Sequence, residues 1–187
     1  QYFSAITEPK EYATDGVEAV PVGMSRKLLP GDLIGNAFVV TLHGCRNIKQ
    51  LPSVISEIAS RGVPNYFGTQ RFGKYGKNIA IGKQLVKKNL RRASELINND
   101  VPKPQLRFFV NAYQSWIFNE ALTEYISRHD RPYFGSIPII GYKTIFGSST
   151  MDKIEKRVCD KEGISARDFR INELMMTCLG SSRPAFI

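Results

Sequence analysis

The sequence predicts an α+β protein with more helix than strand. Two long helical stripes and two short β-rich runs carry that prediction. Apolar residues recur at spacings of three and four from Asn78 to Asn98 and again from Gln105 to Arg128, the period that turns one face of a helix toward a core. Tyr2–Ile6 reads as a short strand, and Ala37-Phe38-Val39-Val40-Thr41-Leu42 within Leu33–Leu42 is a second β-rich run with partial alternation. At 187 residues the chain has the length of one domain, or of one domain carrying an insertion.

Taken in order, the Pro/Gly-rich stretch from Pro9 to Pro30 reads as loop. Leu51, Val54, Ile55, Ile58 and Ala59 then recur at helical spacing, with Pro52 suited to the first turn and Gly62 to the stop. Val63–Gly73 is dense in glycine and aromatics and reads as irregular. In the helix from Asn78 to Asn98, Ile79, Gly82, Val86, Leu90, Ala93 and Ile97 form the face expected to be buried. Lys83, Lys87 and Arg91 step by four on the other side, and Lys88 and Arg92 continue that basic surface. In the next helix, Leu106, Val110, Tyr113, Ile117 and Ala121 make a stripe flanked by Phe109, Trp116 and Leu122. Periodicity makes these aromatics core rather than a stacking platform. Asp130-Arg131-Pro132 ends the helix. Ile137–Phe146 is apolar with Pro and Gly interruptions, and Asp152–Glu162 is a shorter helix stopped by Gly163. Ser165 with Asp168 reads as a capping box opening a last helix.

The charge is unevenly placed. Lys and Arg total 26 against 17 Asp and Glu, a formal net charge of +9. No acid lies between Glu57 and Glu95, and that stretch holds nine cations: Arg61, Arg71, Lys74, Lys77, Lys83, Lys87, Lys88, Arg91 and Arg92. The rest of the chain is close to neutral, so the excess is a local block of the kind that meets a polyanion, most often nucleic acid. No apolar run of 18 residues is present to span a membrane. Gln1-Tyr2-Phe3-Ser4 has no signal- or transit-peptide character. Cys45, Cys159 and Cys178 are widely spaced and expected to be reduced thiols in a cytoplasmic protein; neither they nor His43 and His129 offer metal-ligand spacing. Gly68, Gly73 and Gly76 match no phosphate-loop fingerprint.

The segment richest in chemistry is Val63-Pro64-Asn65-Tyr66-Phe67-Gly68-Thr69-Gln70-Arg71-Phe72-Gly73. Aromatic faces stack on unpaired bases, Asn and Gln read base edges, Arg holds phosphate, and Gly admits a close backbone. The same composition also suits an aromatic loop that plugs a core.

The run Asn65-Tyr66-Phe67-Gly68 followed by Gln70-Arg71-Phe72-Gly73 resembles the signature of the TruD family of tRNA pseudouridine synthases. Asn111-Ala112-Tyr113-Gln114-Ser115-Trp116-Ile117-Phe118-Asn119 is similar to that family's Ser-x-x-Phe-Asn helix, and Leu33-Ile34-Gly35-Asn36-Ala37-Phe38 to its Gly-Asn-x-Phe strand entry. Ile137-Pro138-Ile139-Ile140-Gly141 and Gly180-Ser181-Ser182-Arg183-Pro184 match weaker features, so the resemblance runs from Gln1 to about Pro184. It implies a pseudouridine synthase core, a mixed and mainly antiparallel sheet flanked by helices, plus an inserted α+β domain. On that basis residues 1–100 belong to the catalytic core, 101–175 to the insertion, and 176–187 return toward the core.

The resemblance also implies the chemistry: a uridine of tRNA, expected at position 13, is isomerised to pseudouridine by a nucleophilic Asp with no metal or cofactor. In the family that Asp lies in a Lys-Asp pair followed by Thr-x-Gln and an aromatic. Gln1-Tyr2-Phe3 looks like the tail of that motif, which puts the Asp just before Gln1. The family also carries more sequence than Asp130-Arg131 leaves room for, so a break is expected near 130–131, and a strand-rich segment is expected beyond Pro184. The fragment alone is therefore expected to be inactive. The resident aspartates, Asp15, Asp32, Asp100, Asp130, Asp152, Asp160 and Asp168, sit in turns, caps or helix ends and none has a catalytic setting. By resemblance Asn65 orients the Asp or the base, Phe67 stacks on the base, and Gly68 keeps the loop close. For Gln70, Arg71 and Phe72, direct contact and loop scaffolding stay equally open. Lys83, Lys87, Lys88, Arg91 and Arg92 are the candidates for phosphate contact. The competing readings are a non-catalytic RNA-binding module sharing the fold and, less favoured, a basic DNA-binding domain.

Overall fold

The computed structural model describes residues 8, 10–24, 26–29, 32, 39, 41, 43–97 and 101–187. The expected strand Tyr2–Ile6, the Gly35-Asn36-Ala37-Phe38 entry and Asp100 lie outside the described residues. The chain forms two compact units, Gln1–Arg46 and Asn47–Ile187.

The first unit holds an antiparallel hairpin of β1 (Tyr12–Thr14) and β2 (Val17–Ala19), paired from Tyr12↔Ala19 to Thr14↔Val17. The Pro/Gly-rich stretch expected to be loop thus contains strands. The two-residue connection Asp15-Gly16 closes it, with Gly16 at φ 78°, a conformation that glycine adopts without cost. In the same unit Asp32 accepts from the Leu29 amide at 2.7 Å and pairs with Arg26 at 2.8 Å. The guanidinium first, and the amide second, hold its carboxyl below the usual carboxylate range. Asp32 is a loop staple.

In the second unit the elements run α1 (Leu51–Arg61), α2 (Thr69–Phe72), α3 (Lys77–Val86), α4 (Leu90–Ile97), α5 (Lys103–Arg128), β3 (Ser136–Ile139), α6 (Thr150–Glu162), β4 (Arg170–Ile171), β5 (Met176–Thr177) and β6 (Ser181–Pro184). Both sheets here are antiparallel pairs: β3 with β6, from Ser136↔Pro184 to Ile139↔Ser181, and β4 with β5. The architecture is α+β and dominated by helix.

Helix α5 is the axis of the core, packed against α3 and α6. The expected stripe is found: Val110, Tyr113, Ile117 and Ala121 are buried with Phe109, Phe118 and Leu122, joined by Ile81, Leu85 and Val86 of α3 and Met151, Ile154 and Val158 of α6. Gly82 lets α3 and α5 touch, since a Cβ there would stand 2.1 Å from the Phe109 carbonyl oxygen. The boundary expected near residue 100 falls between α4 and α5, inside this unit.

One long helix was expected from Asn78 to Asn98; two form instead. Lys88 takes φ 61°, and the Asn89 amide bonds back to the Gln84 carbonyl at 2.9 Å, which closes α3. The Asn89 side chain then accepts from the Arg92 amide at 3.3 Å and caps α4. Periodicity runs through this break because Val86 and Leu90 keep a spacing of four. The Ser165–Asp168 capping box is present but opens a single 3-10 turn, Ala166–Phe169, rather than a helix.

Candidate functional site

The signature loop is held from two sides. On one side it pairs with the chain end: the Val63 amide donates to the Ile187 carbonyl at 2.7 Å, the Ile187 amide returns to Val63 at 3.0 Å, and the Asn65 amide donates to Ala185 at 2.8 Å. On the other side Asn119 of α5 brackets Phe67. Its Oδ1 accepts from the Phe67 amide at 2.9 Å and its Nδ2 donates to the Phe67 carbonyl at 3.0 Å. A side-chain amide matched to a backbone amide in this way fixes both position and rotation of the residue. The two motif segments, 52 residues apart, thus meet as one clamp.

The Phe67 ring meets Phe118 edge-on, with centroids 5.4 Å apart and planes at 80°. Arg183 of β6 lies over the same ring at 4.2 Å, and the Arg71 guanidinium is 5.8 Å away. Arg183 also donates through Nε to the Asn65 carbonyl at 3.1 Å and through its terminal nitrogen to Asn65 Oδ1. The other end of the Asn65 amide donates to the Pro184 carbonyl at 3.0 Å. Asn65, read as a partner for the nucleophile or base, therefore has both ends of its side chain engaged by β6. Partial burial first, and the Arg71 charge second, lower the Arg183 pKa from its ordinary value.

Sequence reasoning assigned no role to Arg183 or Asn119. Arg183→Ala removes two hydrogen bonds and a cation–π contact and strands the Asn65 carbonyl oxygen. The expected loss is about 2 kcal/mol, or roughly 4–8 °C in melting temperature. Arg183→Lys should not restore it, because an ammonium cannot span two acceptors while lying flat on a ring. Thermal denaturation of both variants checks this; full recovery in the Lys variant would reduce Arg183 to a point charge.

A cavity of about 230 Å³ opens beside this cluster, lined among others by Phe67, Arg71, Arg107, Asn111, Gln114 and Ser115. Arg71 is fixed in its wall by Nε donating to Ser115 Oγ at 3.2 Å, while its guanidinium also covers Phe108 at 5.5 Å. Gln114 is buried and donates to the Ile140 carbonyl. Ring, guanidinium and amides together suit a planar polar ring. A larger concavity of about 390 Å³ lies under α1, between Val54, Ile58, Ile126 and Phe186, and contains neither Phe67 nor Arg71; the smaller cavity holds both, and Asn65 lines neither. Gly68 and Gln70 are exposed at the start of α2 and do not line it.

The basic residues are more dispersed than one helix face would make them. Lys83 pairs with Glu162 at 2.8 Å, and Tyr113 donates to the same carboxylate at 2.7 Å. Burial pushes the Glu162 pKa up, but those two bonds, together with the charges of Lys83 and Lys87, outweigh it and hold the carboxyl below its ordinary value. Lys88 pairs with Asp168 at 3.6 Å, and Arg91 and Arg92 share Glu95 at 3.5 and 2.8 Å. Lys87 is exposed and, among the described residues, has no ion-pair partner.

The family model described as tRNA pseudouridine synthase D (TruD) matches residues 1–100. Among similar proteins, one from Methanopyrus kandleri named as a tRNA pseudouridine synthase D is 28% identical over 243 aligned positions, covering 91% of this chain and 60% of its own length. One of that name from Shewanella oneidensis is 31% identical over 141, covering 74% and 36%. One from Vibrio cholerae is 37% identical over 103, covering 55% and 26%. The chain thus spans about a quarter to three-fifths of the relatives it matches. The crystal structure of a TruD protein from Methanosarcina mazei superposes with a TM-score of 0.61 at 22% identity, over 73% of this chain and 55% of that one, which establishes a shared fold. With the signature clamp in place and more than half of its length matched by the family model, the chain belongs to the tRNA pseudouridine synthase D family.

Proposed function

We propose that the protein to which this chain belongs converts a uridine of tRNA, at position 13, to pseudouridine. The carrying observation is the clamp of Asn119 on Phe67, which places a ring, two guanidinium groups and a cavity where the family signature lies. The N1–C1′ bond of the uridine breaks, the base turns, and C5 bonds to C1′; the proton leaving C5 balances the one gained at N1. A carboxylate nucleophile, an Asp of the Lys-Asp pair N-terminal to Gln1, divides this into covalent steps. The uridine leaves its stack to enter the pocket. Phe67 packs on the base, Arg71 borders it from the cavity wall, and Asn65 orients the loop through Arg183, while Gly68 and Gln70, exposed outside the cavity, serve the turn into α2. Lys87, with Lys83, Lys88, Arg91 and Arg92 around it, meets phosphate.

We assign residues 1–100 to the core, 101–175 to the insertion and 176–187 to the return; the bonds of Ala185 and Ile187 to the signature loop support the last of these. Among the described residues no helix is long and apolar enough to cross a membrane, and a tRNA substrate suits the cytoplasm.

The test is conversion of an unmodified tRNA transcript by the full-length protein, with pseudouridine mapped by nucleotide. Modification confined to U13 is expected. Binding without conversion would favour the non-catalytic module. In the same protein, Lys87→Ala should lower the slope of log affinity against log salt by roughly 0.7–0.9, the share of one phosphate contact; an unchanged slope would leave Lys87 a solvated side chain.

A further inference from the structure

We infer that Tyr75 is a stacking platform for an unpaired RNA base flanking the target uridine, a reading that rests on the tRNA function proposed above. Tyr75 is 94% exposed, and it is held in a left-handed backbone conformation at φ 56° and ψ 26°. Large side chains rarely adopt that region, because Cβ crowds the following carbonyl. Gly73 and Gly76 on either side also have positive φ, at 71° and 72°, Gly73 with an extended ψ of 176° and Gly76 in the left-handed helical region. The segment is a tight knob, and its one bulky member points to solvent where folding gains nothing from it.

Its surroundings select a polyanion carrying flat rings. Lys74 Nζ lies 5.2 Å from the Tyr75 ring centroid, so a cation covers one side of the ring. Lys77 follows two residues on, and among the described residues neither Lys74 nor Lys77 forms an ion pair. This sets them apart from Lys83, Lys88, Arg91 and Arg92, whose charges are met by carboxylates of the chain. The knob adjoins the signature site: Arg71, fixed against Phe67 and Ser115, is four residues before Tyr75, and the chain cannot carry their Cα atoms more than about 14 Å apart. An exposed ring backed by an ammonium binds an unstacked base on its open side, with the phosphate reaching the lysine.

The test compares Tyr75→Ala, Tyr75→Phe and Tyr75→Gly in the full-length protein, by tRNA affinity across a salt series and by thermal denaturation. The Ala and Gly variants should bind roughly 5- to 100-fold more weakly, the range for one lost base–aromatic stack. Their salt slopes should not change, since no charge is lost. Tyr75→Phe should retain affinity. Tyr75→Gly relieves the backbone, so its melting temperature should hold or rise by about 2–4 °C, which separates loss of binding from loss of folding. A tRNA carrying 2-aminopurine at unpaired positions beside the target should show one position quenched by the parent and not by the Ala variant. Unchanged affinity in the Gly variant would overturn the inference while leaving the tRNA function intact. Failure of the parent to bind tRNA at all would overturn both.

Discussion

Replacing Phe67 with Ala in the full-length protein should lower turnover on tRNA by roughly 100-fold while weakening tRNA binding by only about fivefold, the low end for one lost base–aromatic stack. The asymmetry follows from where each quantity originates. Affinity for a polyanion comes mostly from phosphate contacts spread over the surface, which a phenyl ring does not make. In the proposed reaction, turnover depends on the base lying in one plane while one bond to the sugar is exchanged for another, and the proposed role of the ring is to set that plane. Phe67 is well placed to set it, because Asn119 fixes its backbone, Phe118 meets its edge and Arg183 lies over it. The same contacts mean that Ala leaves a gap beside Phe118 and removes the surface beneath Arg183, so folding is also weakened. Phe67→Leu resolves the two effects: it refills the gap and should regain melting temperature without regaining turnover. Equal losses of turnover and affinity in Phe67→Ala, or full turnover in Phe67→Leu, would make the ring a filler of the loop.

What was legible in the sequence is what local spacing encodes. The α5 stripe from Val110 to Ala121 is buried where its period places it. Helix α1 begins at Pro52's turn and stops at Gly62. The signature from Asn65 to Gly73 is visible because its residue types are concentrated in one segment. What was not legible depends on distance or on single backbone angles. Arg183 reaches Asn65 across 118 residues, and a Gly-Ser-Ser-Arg-Pro string says nothing of the ring it will cover. The break at Lys88 turns on one left-handed residue and an Asn that can either continue a helix or cap one. It changes the meaning of the basic block, because α3 and α4 then present their cations to different carboxylates instead of in one row. The β1–β2 hairpin was obscured by the prolines and glycines around it, although Asp15-Gly16 is itself a turn signal.

Glu155 should make the protein's stability fall with rising pH, and Glu155→Gln should remove that fall. The residue sits on the inner face of α6 with 0% exposure, and neither carboxylate oxygen has a hydrogen-bond partner among the described residues. Burial pushes its pKa up to about 8, and the charge of Asp152 adds to this. The Ile140 backbone amide opposes the rise but stands outside hydrogen-bond geometry, so it stabilises the ionised form only weakly. In the unfolded chain the same group titrates near its ordinary 4.5. Between those two values the folded state holds the proton and the unfolded state does not, so folding loses stability as pH climbs through that window and levels off above 8. The loss accumulated by pH 7 is on the order of 2–4 kcal/mol, large against the net stability of a domain. Gln keeps the size and cannot ionise. Its gain over the parent should therefore be negligible at pH 4.5, grow through pH 6 and 7, and reach its limit near pH 8, as read from urea unfolding at each pH. Parallel curves for the two proteins would mean that Glu155 ionises in the folded state at its ordinary pKa. The site gives this a second readout. The carbonyl of Ile140, the residue whose amide faces Glu155, accepts from Gln114 in the cavity wall. A charge forced onto Glu155 above pH 8 must draw a donor or water toward β3, and the strand it would disturb is the one paired with Arg183. Turnover should then decline at high pH in the parent and less so in Glu155→Gln.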